Sequence, residues 1–315
     1  PGTSFWFGTQ MYSEDGKLAP AVPKDGAYLR EFIPKMQDYY IDIHSVTNLQ
    51  FKSFVDITKY KTEAEQYTWS FVLDYEANNK TIKEVDSKKG YGRVKHANHW
   101  MAVKGANWRY PFGIKDKTIE QLNLMLHPVI HISYQDAQEY CNWATGTSDE
   151  DEENENHSSN NDNNKKKKRR IMRLPTEWEY EHTARGGLLN QTYPWGNDRP
   201  AQGDSIFTPN INIWHEINPK EDKFPTNCDS SYDGYCGTAP AKFYAPNGYG
   251  VYNMIGNVWE WVLGGTKDKR TLRGGSYVDS LEGEHNHAAS VSTKQTNTGD
   301  SAASNSGFRC ASGGR

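Results

Sequence analysis

The chain has 315 residues, of which 35% are hydrophobic and 13% aromatic, enough for one large domain or two small ones built around a ring-rich core. Its 36 basic and 40 acidic side chains leave a formal charge of −4, which excludes the cationic footprint of a nucleic-acid or anionic-membrane binder. No stretch reaches the apolar length of a membrane span, and 27 glycines indicate many turns and loops.

Pro1 rather than methionine heads the chain, as expected where a leader segment has been removed. The run from Tyr39 to Asn48 reads as a strand followed by a helix capped near Thr47, with Phe51, Phe54 and Val55 at helical spacing as a core stripe. Thr62-Glu63-Ala64-Glu65 precedes an aromatic strand around Trp69-Ser70-Phe71-Val72. A helix is predicted over residues 136–144, with Ala137, Tyr140, Cys141 and Ala144 on one buried face. From 147 to about 170 an acidic run, an Asn/Ser-rich run and a basic run follow one another; the six acids of Asp149 to Glu153 with Glu155 and the six bases of Lys165 to Arg170 nearly cancel, and the composition cannot bury a core. This tract reads as a disordered insertion. Thr176 then caps a helix with acids in its first turn, ended by Arg185-Gly186-Gly187.

The chemistry-bearing residues lie mostly in the last third of the chain. Asn253, the carbonyls of Gly256 and Val258, and the Glu260 carboxylate form an all-oxygen set of the kind a hard cation prefers. His285 and His287 flank Asn286 and, on a strand, would point the same way, but no third ligand is evident from spacing, so exposed loop histidines are the default. Four cysteines permit two disulfides; Cys228 and Cys236 suit either a local loop closure or two free thiols. Sequons stand at Asn79, Asn156 and Asn190. A Gly-rich phosphate loop, a zinc knuckle and a Gly-x-Ser-x-Gly elbow are all missing.

Three strings carry a family resemblance: Asn253-Met254-Ile255-Gly256-Asn257-Val258-Trp259-Glu260-Trp261, Arg273-Gly274-Gly275-Ser276-Tyr277 and Asn305-Ser306-Gly307-Phe308-Arg309-Cys310. They resemble the formylglycine-generating enzyme family, also called sulfatase-modifying factors, and further blocks follow the family order along nearly the whole chain. The resemblance implies one α/β domain over residues 1–315, related to the C-type lectin fold and low in regular secondary structure. Active members carry two cysteines in the segment after the Gly-Gly-Ser turn, which bind copper(I) and oxidise a sulfatase cysteine. Here Asp279 stands at the first position and the vicinity of Asn286 at the second, and no cysteine occurs between Ser276 and Cys310. Oxygen donors are hard ligands and poor nucleophiles, so the resemblance implies neither copper nor catalysis.

The same resemblance implies a Cys141 to Cys310 disulfide and the absence of a second family bridge, whose ends align with Ala184 and Val291. It implies two Ca²⁺ sites: Asn253, Gly256, Val258 and Glu260 at one, and Asn212, Ile213, Asp233 and Tyr235 at the other, with Ile213 and Tyr235 contributing backbone oxygens. Trp259, Ser276, Asn305 and Arg309 stand in the motifs of the family's peptide groove, where Lys294 replaces an arginine. Residues 278–283, Asn286-His287 and residues 297–302 resemble the catalytically silent animal members. These imply residence in the endoplasmic reticulum lumen, binding to sulfatases and the active enzyme, homo- or heterodimerisation, and restraint of sulfatase maturation. Rival expectations are a divergent metal-dependent oxidase of sulfatase cysteines using His285, His287 and Asp279, and a calcium-dependent carbohydrate-binding protein.

Overall fold

Thr47, Thr62, Ser133 and Thr176 each stand three residues ahead of a Gln, Glu or Asp, and each closes a reciprocal capping box at a helix start. The computed structural model describes residues 5–7, 31–33, 36–89, 92–113, 116–145, 170–197, 211–214, 224, 228, 230, 233–281, 283 and 285–313. Thr47 starts α1 (Asn48–Thr58) and Thr62 starts α2 (Glu63–Tyr67). Asn78 caps the short α3 (Asn79–Glu84), Ser133 caps α4 (Tyr134–Ala144), and Thr176 caps α5 (Glu177–Arg185). The helix expected from Asp136 therefore begins two residues earlier, because Asp136 is the third helical residue and bonds back to Ser133. Gly186 ends α5 in the left-handed conformation, φ 57°.

Among the described residues the strands are short and fall into four small sheets. β1 (Phe5–Phe7) pairs with β2 (Glu31–Ile33). β3 (Tyr39–Ile41) joins a three-stranded sheet with β7 (Met172–Arg173) and β12 (Ala311–Gly313), β12 lying in the middle. β4 (Trp69–Leu73) pairs with β6 (Ala97–Lys104), which also pairs with β5 (Arg93–Val94). The fourth sheet runs in the order β10 (Lys294–Asn297), β9 (Arg270–Arg273), β8 (Trp259–Gly265), β11 (Ser306–Gly307). Only β8 and β11 pair in parallel there, so the two motif strings are brought side by side, Ser306 opposite Trp259.

Two of the apolar clusters among the described residues join the helices to these sheets. In the first, Phe51 stacks on Tyr140 at 5.8 Å, and Tyr140 meets Phe308 edge-on, which joins α1, α4 and the segment before β12. The Cys141–Cys310 disulfide crosses this cluster over 169 residues of sequence, as the family resemblance implied. In the second, α5 lays Tyr180 and Ala184 against Ile211, Val251, Met254 and Val291. Ala184 and Val291, which the resemblance aligns with the ends of the family's other bridge, share one apolar cluster. The tract expected to be disordered lies outside the described residues except for Arg170, whose guanidinium sits 3.8 Å over the exposed ring of Tyr40. Among the described residues no helix is long and apolar enough to cross a membrane.

Candidate functional site

The Gly274-Gly275 pair bends the chain between β9 and Ser276 with φ of 94° and 83°. A side chain at Gly274 would meet the Tyr180 hydroxyl at 2.6 Å and the Met254 carbonyl at 2.9 Å, so the turn is tight because α5 and the Asn253 segment press on it. The turn delivers Ser276 to Asp279, whose Oδ2 accepts from the Ser276 amide at 2.6 Å and from its hydroxyl at 2.8 Å. Asp279 Oδ1 accepts from Asn286 Nδ2 at 2.8 Å and from the His287 amide at 3.1 Å. Asp279, which the resemblance sets at the first cysteine position, is therefore in direct contact with Asn286, in whose vicinity it sets the second. Asn305 Nδ2 donates to Ser276 Oγ at 3.1 Å, completing a row from Asn305 through Ser276 and Asp279 to the exposed Asn286. Burial pushes the Asp279 carboxyl above the usual carboxylate range, opposed by His287 and the hydrogen bonds from Ser276.

Rings wall this row. Trp214 donates its amide to the Asp279 carbonyl at 2.9 Å and meets Phe224 edge-on, and Phe224 stacks on His285 at 5.1 Å. His287 meets Trp259 edge-on at 5.2 Å. Residues 285–287 form a bend, not a strand, with Asn286 at φ 59°. The two histidines consequently pack half-buried against different aromatic partners, and neither is an exposed loop residue nor aligned with the other as a strand would have them.

The four residues expected to line a peptide groove are instead interior. Trp259, Ser276 and Arg309 are fully buried and Asn305 is 6% exposed. Arg309 donates Nε to Glu260 Oε2 at 2.7 Å, Nη2 to Glu260 Oε1 at 2.9 Å, and its remaining hydrogens to the carbonyls of Asp42, Tyr252 and Asn253. A guanidinium with this many fixed acceptors serves the fold. Lys294, on β10, reaches Glu177 at 3.3 Å and stays apart from the Asp279 row; burial lowers its ammonium to about 8. A cleft of about 170 Å³ bounded by Trp195, Pro246 and Met254 includes none of the four.

The two oxygen sets lie back to back. A side chain at Gly256 would stand 2.4 Å from the Asn212 carbonyl, and Asn257 donates its amide to that same carbonyl at 2.8 Å. At the Asn212 set, Nδ2 donates to Gly237 O and Asn257 Oδ1, while the buried Oδ1 has no hydrogen-bond partner among the described residues. Asp233 accepts from the Tyr235 amide and the Tyr244 hydroxyl. A buried amide oxygen left without a donor, on a residue tied to Gly237 in the segment that follows Asp233, fits a hard cation. At the other set, Asn253 donates Nδ2 to the Ala241 carbonyl, and the Glu260 carboxylate accepts from Ser45 at 2.6 Å in addition to Arg309. A cation there would share that carboxylate with an arginine already neutralising it.

A protein-family model described as "Sulfatase-modifying factor enzyme 1-like domain" matches residues 30–313. The chain belongs to the sulfatase-modifying factor family. It is 38% identical to a Bos taurus protein named "Inactive C-alpha-formylglycine-generating enzyme 2", over 99% of this chain and 86% of that protein. It is 35% identical to a Mus musculus "Formylglycine-generating enzyme", over 93% of this chain and 70% of that protein. Among solved structures, "Structure of PvdO from Pseudomonas aeruginosa" covers 99% of this chain and 92% of its own with TM-score 0.55 at 17% identity, a likeness of fold alone.

Sequence reasoning missed Asn257, at φ 64°, whose Oδ1 accepts from Asn212 and from the Ala239 amide while Nδ2 donates to the Ala239 carbonyl. Its place in the sulfatase-modifying factor motif beside Gly256 was the available signal. Cys228 and Cys236, left open between bridge and thiols, form a disulfide. Of the sequons, Asn79 opens α3 and Asn190 sits in a turn, both exposed, while Asn156 lies outside the described residues.

Proposed function

We propose that this chain is a catalytically inactive sulfatase-modifying factor that acts by binding. In this reading it engages sulfatases, the active formylglycine-generating enzyme or both in the endoplasmic reticulum lumen, as a homo- or heterodimer, and restrains sulfatase activation. The observation that carries it is the 2.8 Å hydrogen bond between Asp279 and Asn286 in a segment without cysteine. A carboxylate and an amide bonded to each other present hard oxygens and no thiolate, so a soft copper(I) ion has nothing to hold it and a substrate thiol has no sulfur partner. Similarity to a relative named as inactive supports the same reading. Two disulfides are compatible with an oxidising compartment.

We further propose calcium at Asn212, Ile213, Asp233 and Tyr235, supported by the orphaned Asn212 Oδ1. When bound, the ion supplies positive charge to the Asp233 carboxylate and rigidity to its turn. For the Asn253, Gly256, Val258 and Glu260 set the proposal is weaker in charge, since Arg309 already pairs with Glu260.

The test mixes the purified chain with a cysteine-containing sulfatase peptide, copper(I), a reductant and air, and follows the peptide by mass spectrometry. The peptide is expected to keep its thiol. Formylglycine above a metal-free control sinks the inactive reading and restores the oxidase. Binding is tested separately by crosslinking to a purified, immature sulfatase, where no crosslink above an unrelated lumenal protein removes the restraint role.

A further inference from the structure

We infer that the Cys228–Cys236 bridge is a thiol–disulfide exchange site, opened selectively by a dithiol, whose reduction releases the Asp233 turn and loosens the wall of the Asp279 row. The two bridges differ in access. Cys141 and Cys310 are fully buried under the first aromatic cluster, whereas Cys228 and Cys236 are both half-buried. Attack needs a thiolate to reach one sulfur, so access decides which bridge reacts first.

The short bridge closes a loop of sequence separation 8 and ties two neighbourhoods together. On one side Cys228 packs with Trp214, Phe224, Tyr277 and Val278; Trp214 holds the Asp279 carbonyl and Phe224 covers His285. On the other side Tyr75 donates its hydroxyl to the Cys236 carbonyl at 2.8 Å, and Asp233 and Tyr235 lie inside the bridged loop. Asn212 bonds to Gly237 just beyond Cys236, so the closed bridge ties the loop that carries Asp233 to the Asn212 segment.

In the exchange, a thiolate of the dithiol attacks one sulfur of the bridge, the S–S bond breaks and the other cysteine leaves as thiolate. The second thiol of the reductant then resolves the mixed disulfide. The protein gains two electrons and two protons as two thiols, and the reductant leaves as its cyclic disulfide. A consequence for calcium rests on the calcium reading above: Asp233 is the one carboxylate of the Asn212 set, so opening weakens the ion, and by linkage the ion protects the bridge by the same factor.

The experiment reduces the full chain with graded dithiothreitol, traps thiols by alkylation, and reads each cysteine by mass spectrometry alongside hydrogen exchange. Cys228 and Cys236 are expected to label at about tenfold lower reductant than Cys141 and Cys310. Exchange over residues 211–214 and 233–237 should quicken about tenfold with it, leaving 46–55 unchanged. A Cys228→Ser/Cys236→Ser variant should show the same fast exchange without reductant. Simultaneous opening of both bridges, or selective opening with no change in exchange, overturns the proposal. Calcium should raise the reductant needed by about tenfold; a chain that binds calcium without that shift overturns the coupling. Selective opening with faster exchange in a chain that binds no calcium upholds the exchange site and sinks the calcium reading instead.

Discussion

Arg309→Met is the substitution whose cost the structure defines most closely. The guanidinium is fully buried, binds both oxygens of a fully buried Glu260 and caps the carbonyls of Asp42, Tyr252 and Asn253. Removing one partner of a buried ion pair costs about 3–5 kcal/mol, because the survivor keeps its desolvation penalty. The three carbonyls lose a donor as well, each worth about 1 kcal/mol or less after relaxation. A loss of about 5 kcal/mol is expected, comparable to the whole stability of a marginal domain. Adding Glu260→Gln removes the stranded charge and should restore about 2–3 kcal/mol, while Ser45 can still donate to the amide oxygen. Urea unfolding in calcium-free buffer, followed by tryptophan fluorescence, measures both. An Arg309→Met loss below about 1 kcal/mol, or a double variant no better than the single, would refute the argument that this arginine is the interior's own cation.

Removing the long bridge with Cys141→Ala and Cys310→Ala should cost about 5 kcal/mol by loop-closure entropy, against about 2.6 kcal/mol for the short one, and guanidinium melts of the two double variants should keep that order. Thr176→Ala removes the cap and half of the box on α5 and should cost about 1 kcal/mol in the same assay. Burial lowers the imidazole of His131 to about 3, beside Ser70. The unfolded chain therefore takes up that proton first, and stability held above pH 6.5 is lost as pH falls toward 3; His131→Gln should lose about 2 kcal/mol less than the parent between pH 7 and 5. Asp42 runs the other way, raised by burial to about 6, so Asp42→Asn should lose about 1.4 kcal/mol more over the same interval.

The parts of the fold that were legible in the sequence are those set by neighbours three or four residues apart. Thr47 and Thr176 announce their helices because each cap and its partner are local. Ser133 carries the same signal, while the apolar periodicity of its helix starts only at Ala137. The Cys141 to Cys310 pairing was readable only through the family, since nothing local joins residues 169 apart. At the candidate site, the absence of cysteine between Ser276 and Cys310 was legible, but the contact of Asp279 with Asn286 was not, because a bend rather than a strand returns the chain to Asp279. Arg309 was misread as a groove residue for a related reason. An arginine looks exposed until its acceptors are known, and these come from Asp42, Tyr252, Asn253 and Glu260, all distant in sequence.

The central place of β12 between β3 and β7 sets a clock on synthesis. Ile41 cannot meet Ala311 until about 270 further residues have been made, which at typical elongation rates takes roughly 14–54 s. Throughout that interval α1 has its capping box but neither Phe308 nor the Cys141–Cys310 bridge to cover Phe51. Trp108 and Tyr140 reach the ribosome exit first and can cover part of Phe51, so the aromatic cluster is assembled in two instalments and closes only when the C-terminal strand arrives.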